Sequence, residues 1–218
     1  MKKLKAFDCS IEIKNGMMVY PGNPQTKIEL KKEANSLEPS MFQVTIGSHT
    51  GTHIDSPRHI KKFKASTEKT PITTMFGLCR VIDLTKVEQK VSVTNLEKLN
   101  IKKDEIILFK TKNSQRVHKK FFKDFIYVDE SAAKFLAKKK IKTLCVDSLG
   151  VQSFHSRNQK VHEIILENGI TLFEGVDLRK IKPGVYFFIG LPIKIQTDGA
   201  PARVILCEVN LIKKLVKL

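Results

Sequence analysis

Hydrophobic and polar residues alternate along several segments of the chain in the pattern that is typical of β-strands. Segment 105–110 is almost wholly apolar, as expected for a strand that is covered on both faces, and 142–147 is predicted to be another buried strand. The predicted strands are 6–13, 27–31, 77–84, 105–110, 142–147, 170–173, 185–189 and 203–209, together with one that starts near Phe42 and is stopped by Pro57.

A helical spacing of apolar residues is confined to fewer segments. Residues 93–99, 129–138 and 158–169 have this spacing or the capping residues that accompany it. Because strands alternate with helices, the chain is predicted to have an α/β fold. There is no internal repeat, linker or low-complexity tract, so residues 1–218 are predicted to form a single domain.

Chemically active side chains are most concentrated between His49 and His59. Three of the six histidines and the carboxylate of Asp55 fall within this stretch. Imidazoles and a carboxylate are ligands that suit Zn²⁺ or Mn²⁺. His49, His53 and Asp55 are therefore candidate ligands of one divalent metal ion.

The spacing of His49 and His53 fits two conformations. On a helix these two residues would share a face, as they do in the helical zinc motif of metalloproteases. Gly51, Pro57 and the β-branched residues between them argue against a helix. On a straight strand four residues span ~13 Å, which is too far for both imidazoles to reach one ion. We therefore predict a strand that curls over at Gly51, a residue type that permits such a bend.

A second pair of candidate ligands lies about a hundred residues further along the chain. His162 falls near the start of the predicted helix 158–169, and Glu174 ends the strand that follows it. The helix would advance ~9 Å from His162, and an antiparallel strand would return by ~15 Å. The two side chains can therefore meet.

Length and composition set the general class of the protein. At 218 residues with 41% hydrophobic residues, the chain can bury a sizeable core, and no apolar run approaches a membrane span. The first residues lack the apolar segment of a signal peptide, which predicts a cytoplasmic location. The four cysteines are scattered and form no CxxC pair, so we expect reduced, buried thiols.

The net charge of +17 invites the hypothesis of nucleic-acid binding. The lysines, however, form short clusters along the whole chain, without interleaved aromatic residues or an RNA-binding or zinc-finger signature. A solvated, lysine-rich surface accounts for this pattern, and nucleic acid is not an expected partner. Such a surface would still attract small anionic substrates.

The stretch His49-Thr50-Gly51-Thr52-His53-Ile54-Asp55-Ser56-Pro57-Arg58-His59 resembles the HxGTHxDxPxH signature of the cyclase family. That family includes the metal-dependent bacterial kynurenine formamidases (arylformamidases) and the isatin hydrolases. The resemblance covers most of the chain. It also takes in Tyr20-Pro21-Gly22, Gly77, His162, Glu174-Gly175 and Asp198-Gly199-Ala200-Pro201-Ala202-Arg203.

The resemblance implies a mixed β-sheet core rolled into a barrel-like shape and flanked by helices, assembled as a homodimer or homotetramer. It implies that His49, His53 and Asp55 bind one metal ion, and that Asp55 bridges to a second ion held by His162 and Glu174. It implies one or two Zn²⁺ ions, with Mn²⁺ as the alternative.

The resemblance also makes His59 the proton-transfer residue in the hydrolysis of a C–N amide bond. A metal ion activates water and polarises the carbonyl group, and a free imidazole beside it can pass the proton to the leaving nitrogen. The expected substrate is a small molecule such as N-formylkynurenine or a cyclic amide. A lactone hydrolase or cyclase, and a non-catalytic nucleic-acid- or anion-binding protein, are the alternative hypotheses.

Some positions depart from the family pattern. Asn23 stands where many members have aspartate, and Gly150 and Gln152 replace a hydroxyl and a carboxylate of the formamidases. The chain has no tryptophan, so an aromatic wall for an aryl substrate must come from Phe or Tyr, with Tyr20 as the candidate. We further expect a structural salt bridge between Asp198 and Arg203.

Two more histidines have weaker functional signals. His155 lies in a polar segment from which it could reach a substrate. His118 sits among basic residues and is expected to lie on the surface.

Overall fold

The computed structural model describes residues 5–60, 65–116 and 120–216. The strands are β1 (Ala6–Asp8), β2 (Lys27–Lys32), β3 (Met41–Thr45), β4 (His53–Asp55), β5 (Phe76–Asp83), β6 (Lys90–Val91), β7 (Ile106–Lys110), β8 (Tyr127–Val128), β9 (Thr143–Val146), β10 (Thr171–Glu174), β11 (Gly184–Pro192) and β12 (Gly199–Glu208). The α-helices are α1 (Val93–Leu96), α2 (Glu130–Lys139), α3 (Lys160–Glu167) and α4 (Val209–Val216). None of the helices in the described ranges is long and apolar enough to cross a membrane.

Seven strands close into a barrel. Their order is β12-β11-β5-β7-β9-β10-β4, and β4 pairs back with β12, while β1 extends the sheet beyond β12. The pairs from β5 through β7 and β9 to β10 are parallel, and the other pairs are antiparallel. The predicted mixed, barrel-like α/β core is confirmed.

The apolar strands have both faces covered, as their composition predicts. Along β7, Ile106 and Leu108 belong to a buried cluster with residues from all the other barrel strands. The alternate residues Ile107 and Phe109 belong to a second cluster that includes residues of α2 and α3. Because successive side chains of a strand point to opposite faces, one apolar run supplies both the barrel interior and the layer beneath the helices.

The predicted strand from Phe42 to Pro57 is wrong as a single element. Residues Met41–Thr45 form β3, which pairs with β2 in a separate two-stranded sheet, and only His53–Asp55 enters the barrel as β4. The predicted bend at Gly51 is confirmed, since its φ is +64°, a conformation that glycine adopts without steric penalty. Pro57 begins a short 3₁₀-helix, Pro57–His59.

Other element boundaries also differ from the sequence prediction. The first strand covers only Ala6–Asp8, because the backbone N–H of Ile11 turns away to the Thr52 hydroxyl. Residues 199–201, which precede the predicted strand 203–209, already belong to β12, since they pair with β4. Positions 61–64, just after the histidine-rich stretch, lie outside the described residues. His118 lies outside them as well.

Candidate metal centre

Strand β4 brings the two halves of the candidate site together. It lies between β10 and β12, and its residue His53 stands opposite Glu174 of β10. Asp55, two residues later, projects from the same face and stands opposite Gly199 of β12. Pairing with both neighbouring strands therefore fixes the positions of His53 and Asp55 and brings Glu174 beside them.

The side chains of His49, His53 and Asp55, the first set of candidate ligands, lie together and are called here the first half of the site. The Nδ1 atom of His49 lies 3.0 Å from Oδ1 of Asp55, and the Nε2 atom of His53 lies 3.4 Å from the same oxygen. The Nδ1–H of His53 donates to the carbonyl oxygen of Gly51 at 2.9 Å, which turns Nε2 toward the carboxylate. The bend at Gly51 therefore brings both imidazoles to Asp55 and also orients one of them.

The second half of the site consists of His162 on α3 and Glu174 on β10. The Nε2 atom of His162 lies 3.5 Å from Oε1 of Glu174 and 3.8 Å from Oδ2 of Asp55. The other glutamate oxygen, Oε2, lies 3.3 Å from Nε2 of His53. The side chains of His162 and Glu174 therefore meet, as expected. Oδ1 of Asp55 faces the first half of the site, and Oδ2 faces the second half.

Asp55 is buried, and the groups that approach its carboxylate are imidazoles rather than backbone N–H or hydroxyl donors. Its residue is 2% exposed, and neither carboxylate oxygen accepts a hydrogen bond within the described part of the chain. Nε2 of His53 also lacks a hydrogen-bond partner there. A buried carboxylate without donors is strongly unfavourable unless a cation compensates it. The orphaned oxygens and the surrounding imidazole nitrogens are a donor set that fits a divalent transition metal ion.

Two sets of three residues could each hold a metal ion among the described residues. One set is His49, Asp55 and His59, and the other is His53, Asp55 and Glu174, with ligand atoms within 4.8 Å of one another in each set. Asp55 belongs to both sets. His59, predicted as the acid/base residue, thus also lies close enough to contribute a ligand atom.

The charged groups of the site shift one another's pKa values. Burial disfavours protonation of His49, but its interactions with Asp198 and Asp55 outweigh burial and raise its pKa to about 10. Burial also opposes protonation of His53, whose pKa is nevertheless raised to about 9 by Asp55 and Glu174. Burial favours the neutral form of Asp55, yet the surrounding histidines hold its pKa well below the ordinary value. A metal ion must therefore compete with protons for this site.

His59 is the most exposed histidine around Asp55. Its side chain is 27% exposed, against 15% for His49 and 1% for His53. Its ring centroid lies 4.3 Å from that of His49 and 5.3 Å from that of His162. His59 therefore stands where both the candidate ligands and an adjoining cavity are within reach.

Asp198 is a residue of the site whose role differs from the sequence prediction. The expected salt bridge between Asp198 and Arg203 is wrong, because Arg203 pairs with Asp8 through contacts of 2.9 and 2.6 Å. The Asp198 carboxylate instead lies 3.0 Å from Nε2 of His49 and 3.4 Å from Nδ1 of His59. Hydrogen bonding from His49 and the other nearby groups lowers the pKa of Asp198, although its partial burial opposes this.

A cavity of about 270 Å³ adjoins the candidate ligands. His49, His59, His162 and Glu174 form one part of its wall. The remaining lining residues are Tyr20, Asn23, Leu149, Gly150, Gln152, Ser153, Phe154, Ser156, Asn158 and Gln159. His155 is exposed and does not line this cavity, although its ring contacts Phe154.

The aromatic wall expected at Tyr20 is present. Its ring centroid lies 5.7 Å from that of Phe154 and 4.9 Å from that of Phe121. Gly150 makes room for this cluster, since a Cβ atom there would lie 3.2 Å from Cε2 of Tyr20 and 3.3 Å from Cζ of Phe125. The glycine that departs from the formamidase pattern therefore allows Tyr20 to lie where it does.

Gln152, the other residue in this segment that departs from the formamidase pattern, has a structural role. Its Oε1 accepts a hydrogen bond from the backbone N–H of Val161, and its side-chain amide donates to the Asn158 carbonyl oxygen. The preceding Val151 N–H donates to Oε1 of Glu174 at 2.6 Å. These bonds connect the 150–152 segment to the start of α3 and to a candidate metal ligand.

Known proteins resemble this chain in sequence over most of its length. The sequence profile of the family described as "Putative cyclase" matches residues 7–153. The chain is 28% identical over 211 residues to the kynurenine formamidase of Bacillus cytotoxicus, covering 94% of this chain and 99% of that protein. It is 27% identical over 203 residues to the kynurenine formamidase of Salinibacter ruber, covering 92% of this chain and 96% of that protein.

Solved structures show the same fold. One described as "The Structure Of Potential Metal-Dependent Hydrolase With Cyclase Activity" is 33% identical, with a TM-score of 0.84 over 94% of this chain and 98% of the other. Isatin hydrolase A from Labrenzia aggregata shares the fold at 18% identity, with a TM-score of 0.81 over 94% of each chain. Because the family profile spans more than half of the sequence, the chain belongs to the Putative cyclase family.

Proposed function

We propose that the protein is a metal-dependent hydrolase that cleaves a C–N amide bond of a small molecule. An N-formyl aryl amine such as N-formylkynurenine is the proposed substrate, and related cyclic amides belong to the same class. The observation that carries the proposal is the buried Asp55, whose oxygens lack hydrogen-bond donors and face the imidazoles and Glu174. The kynurenine formamidases that resemble almost the whole chain support the substrate class.

The proposed metal ligands are His49, His53 and Asp55 for one ion, and His162 and Glu174 with Asp55 for a second. Zn²⁺ is the proposed metal, as one or two ions, with Mn²⁺ as the alternative, because nitrogen and carboxylate ligands suit both. When bound, such an ion supplies Lewis acidity and lowers the pKa of a water molecule.

His59 is the proposed general acid/base. Its Nδ1 faces Asp198 at 3.4 Å, which leaves Nε2 to exchange the proton. As a base, Nε2 accepts a proton from the attacking water, and as an acid it returns a proton to the leaving nitrogen. Its exposure to the cavity is consistent with this exchange, since a fully buried imidazole could not reach both groups.

The cavity walls are proposed to bind and orient the substrate. Tyr20 and Phe154 offer aromatic surface to an aryl ring, because their rings lie side by side in the lining. The amide side chain of Asn23 and the hydroxyl groups of Ser153 and Ser156 supply polar contacts along the same wall. The reacting carbonyl group would then lie between this wall and the histidines.

A lactone hydrolase or cyclase that uses the same residues is the alternative activity. The 33% identical solved structure that is described as having cyclase activity favours this second candidate. Both activities need the same ligands and His59, and they differ in whether the leaving atom is nitrogen or oxygen. Parallel assays with an N-formyl aryl amine and a lactone distinguish them.

Assembly and location are also part of the proposal. We propose that residues 1–218 act as one unit within a homodimer or homotetramer, in which a second copy covers exposed apolar side chains. All five residues of β3 are exposed, among them Met41, Phe42 and Val44, and an isolated two-stranded sheet is only marginally stable in water. The four buried, free cysteines support a reducing, cytoplasmic location.

The test is metal analysis combined with hydrolysis of N-formylkynurenine by the purified protein. Bound zinc or manganese, turnover that is lost on chelation, and loss of both metal and turnover in His49→Ala support the proposal. The matched control is His155→Ala, which removes an exposed histidine outside the cavity and should retain activity. A protein that never acquires metal, or a His49→Ala variant with unchanged turnover, would overturn it.

A further inference from the structure

One carboxylate oxygen serves two histidines of the site. Oδ2 of Asp198 lies 3.0 Å from Nε2 of His49 and 3.4 Å from Nδ1 of His59. These two histidines have different proposed roles, since one is a metal ligand and the other transfers protons. Asp198 therefore connects metal binding with proton transfer.

The backbone at Asp198 is held firmly against the histidine-rich stretch. Its carbonyl oxygen accepts hydrogen bonds from both the backbone N–H and the hydroxyl group of Ser56, each at 2.9 Å. The next residue, Gly199, is buried and pairs with Asp55 across β12 and β4. The backbone of Asp198 therefore cannot shift far unless the strands that hold the candidate ligands shift as well.

Gly199 also places the ring of His49. A Cβ atom on residue 199 would lie 2.5 Å from Cε1 of His49 and 2.8 Å from its Nδ1, so a larger residue would collide with the ring. The imidazole lies against the glycine backbone while Asp198 binds one of its nitrogens. Position and rotation of the His49 ring are thus both set by residues 198 and 199.

The hydrogen bond selects the tautomer of His49. When Nε2–H donates to Asp198, Nδ1 is the nitrogen that remains free to bind a metal ion, and this is the nitrogen that faces Asp55. A carboxylate that accepts the second N–H of a metal-binding histidine orients the ring and makes it a better ligand. Asp198 is placed to accept the second N–H of His49 in this way.

Asp198 also selects the tautomer of His59, through Nδ1 instead of Nε2. Nδ1–H of His59 faces Asp198, so the neutral tautomer has its lone pair on Nε2. The negative charge of Asp198 would stabilise the imidazolium that forms when Nε2 accepts a proton, as the buried aspartate does in a serine–histidine–aspartate triad. The carboxylate thereby favours the protonated intermediate without touching the substrate.

We propose that Asp198 is a positioning residue that sets the tautomers of both His49 and His59. The catalytic part of this inference rests on the proposed hydrolase function. The part that concerns His49 and metal binding does not require turnover.

The test compares Asp198→Asn with Asp198→Glu, which keeps the charge, and with Asp8→Asn as a matched control. Asp8 is an aspartate of β1, the strand beside β12, and its carboxylate pairs with Arg203 away from the histidines. Cobalt(II) titration measures metal affinity, ¹⁵N NMR of the imidazoles in the metal-loaded protein identifies their tautomers, and steady-state kinetics with N-formylkynurenine gives kcat and KM.

In Asp198→Asn we expect cobalt affinity to fall by about 10- to 100-fold and kcat to fall by at least about 100-fold, with KM almost unchanged. The ¹⁵N signals of His49 and His59 should show altered tautomers, and Asp198→Glu should regain part of the cobalt affinity. Asp8→Asn should behave as the unmodified protein in every measurement.

Unmodified cobalt affinity and unmodified imidazole signals in Asp198→Asn would overturn the inference. The same holds if Asp198→Asn raises KM as much as it lowers kcat, since a positioning residue does not contact the substrate. If the unmodified protein does not hydrolyse N-formylkynurenine, the proposed substrate fails, but the cobalt and NMR measurements still decide the role of Asp198 toward His49.

Discussion

Two buried aspartates of this fold, Asp55 and Asp147, have very different neighbouring groups. Asp55 ends strand β4 and Asp147 follows strand β9, and the two residues are 2% and 3% exposed. Asp147 accepts hydrogen bonds from the backbone N–H groups of Thr111 and Ser114 at 2.7 and 3.0 Å, from the hydroxyl groups of both residues, and from the Asn113 amide. Asp55 accepts none within the described residues.

The pKa values of the two carboxyl groups shift in opposite directions. Burial raises the pKa of Asp147, although the hydrogen bonds from Ser114 and Thr111 oppose this. At Asp55 burial acts in the same direction, but the nearby positive charge of the histidines prevails and lowers the pKa. Hydrogen-bond donors of the protein satisfy the Asp147 carboxylate, whereas the Asp55 carboxylate is stabilised by nearby positive charge. This contrast separates a structural carboxylate from one that is available to a metal ion.

The largest expected effect comes from Asp55→Asn. The substitution keeps the shape of the side chain but removes the charge that both sets of candidate ligands share. We expect metal content to fall below one equivalent and kcat/KM to fall by at least about 1,000-fold. Elemental analysis and steady-state kinetics measure these changes. Retention of full metal content would show that Asp55 is not the shared ligand.

The same chemical change at Asp147 should affect stability instead. In Asp147→Asn an amide NH₂ group would face neighbours that are themselves donors, namely Thr111, Asn113 and Ser114. A buried group left without a partner lowers the free energy of unfolding by about 1–3 kcal/mol. Urea denaturation checks the loss, and metal content should stay at the unmodified level. Loss of metal together with unchanged stability would reverse the assignment of the two aspartates.

Gly199→Ala tests the Asp55 region without altering a charge. The added Cβ atom would come within 2.5 Å of Cε1 of His49, and the ring must move away from Asp55. We expect metal affinity to fall by about 10-fold or more, as for other changes that misplace a ligand. Isothermal titration with Zn²⁺ measures it. Gly169→Ala is the control: no atom lies within 4 Å of a Cβ placed there, so the variant has only the backbone cost of alanine at a φ of +71° and should keep its Zn²⁺ affinity.

The metal-free protein should lose stability as pH rises above neutrality. The pKa values of His49 and His53 are raised from 6.5 to about 10 and about 9, so their protonated forms favour the folded state. This contribution is fully present below pH 6.5 and is lost as pH rises through 9 to 10. The raised pKa of Asp147 acts only in the acid range, because its ordinary value is 3.8.

Urea denaturation in the presence of a chelator, at pH 6.5 and at pH 9, measures this change. His49→Gln should reduce the difference between the two pH values, whereas Asp147→Asn should leave it as it is. An equal pH dependence in His49→Gln and in the unmodified protein would contradict the pKa assignment.

The sequence predicted those parts of the site that depend on local geometry. The bend at Gly51 followed from the length of an extended chain, and the meeting of His162 with Glu174 followed from the lengths of one helix and one strand. Segment 105–110 indicated a strand covered on both faces and segment 142–147 another buried strand, and β7 and β9 have this environment. These features need only the spacing of residues along the chain.

The features that were missed depend on contacts between distant residues. Alternation continues from β3 into β4, so the sequence does not show that the two strands belong to different sheets. The contacts of Asp198 depend on which way its side chain points just before β12, and Arg203, the partner expected from the sequence, is wrong. The available signal was the position of Asp198. It directly precedes Gly199, in a segment that the family resemblance already included together with the histidine-rich stretch.

The most direct test of the account is a crystal structure of the zinc-loaded protein with anomalous diffraction recorded at the zinc absorption edge. We expect an anomalous peak within bonding distance of Asp55, flanked by His49 and His53, and none at Asp147. A map without a peak at Asp55, or one in which hydrogen-bond donors surround the Asp55 carboxylate as they do that of Asp147, would contradict it.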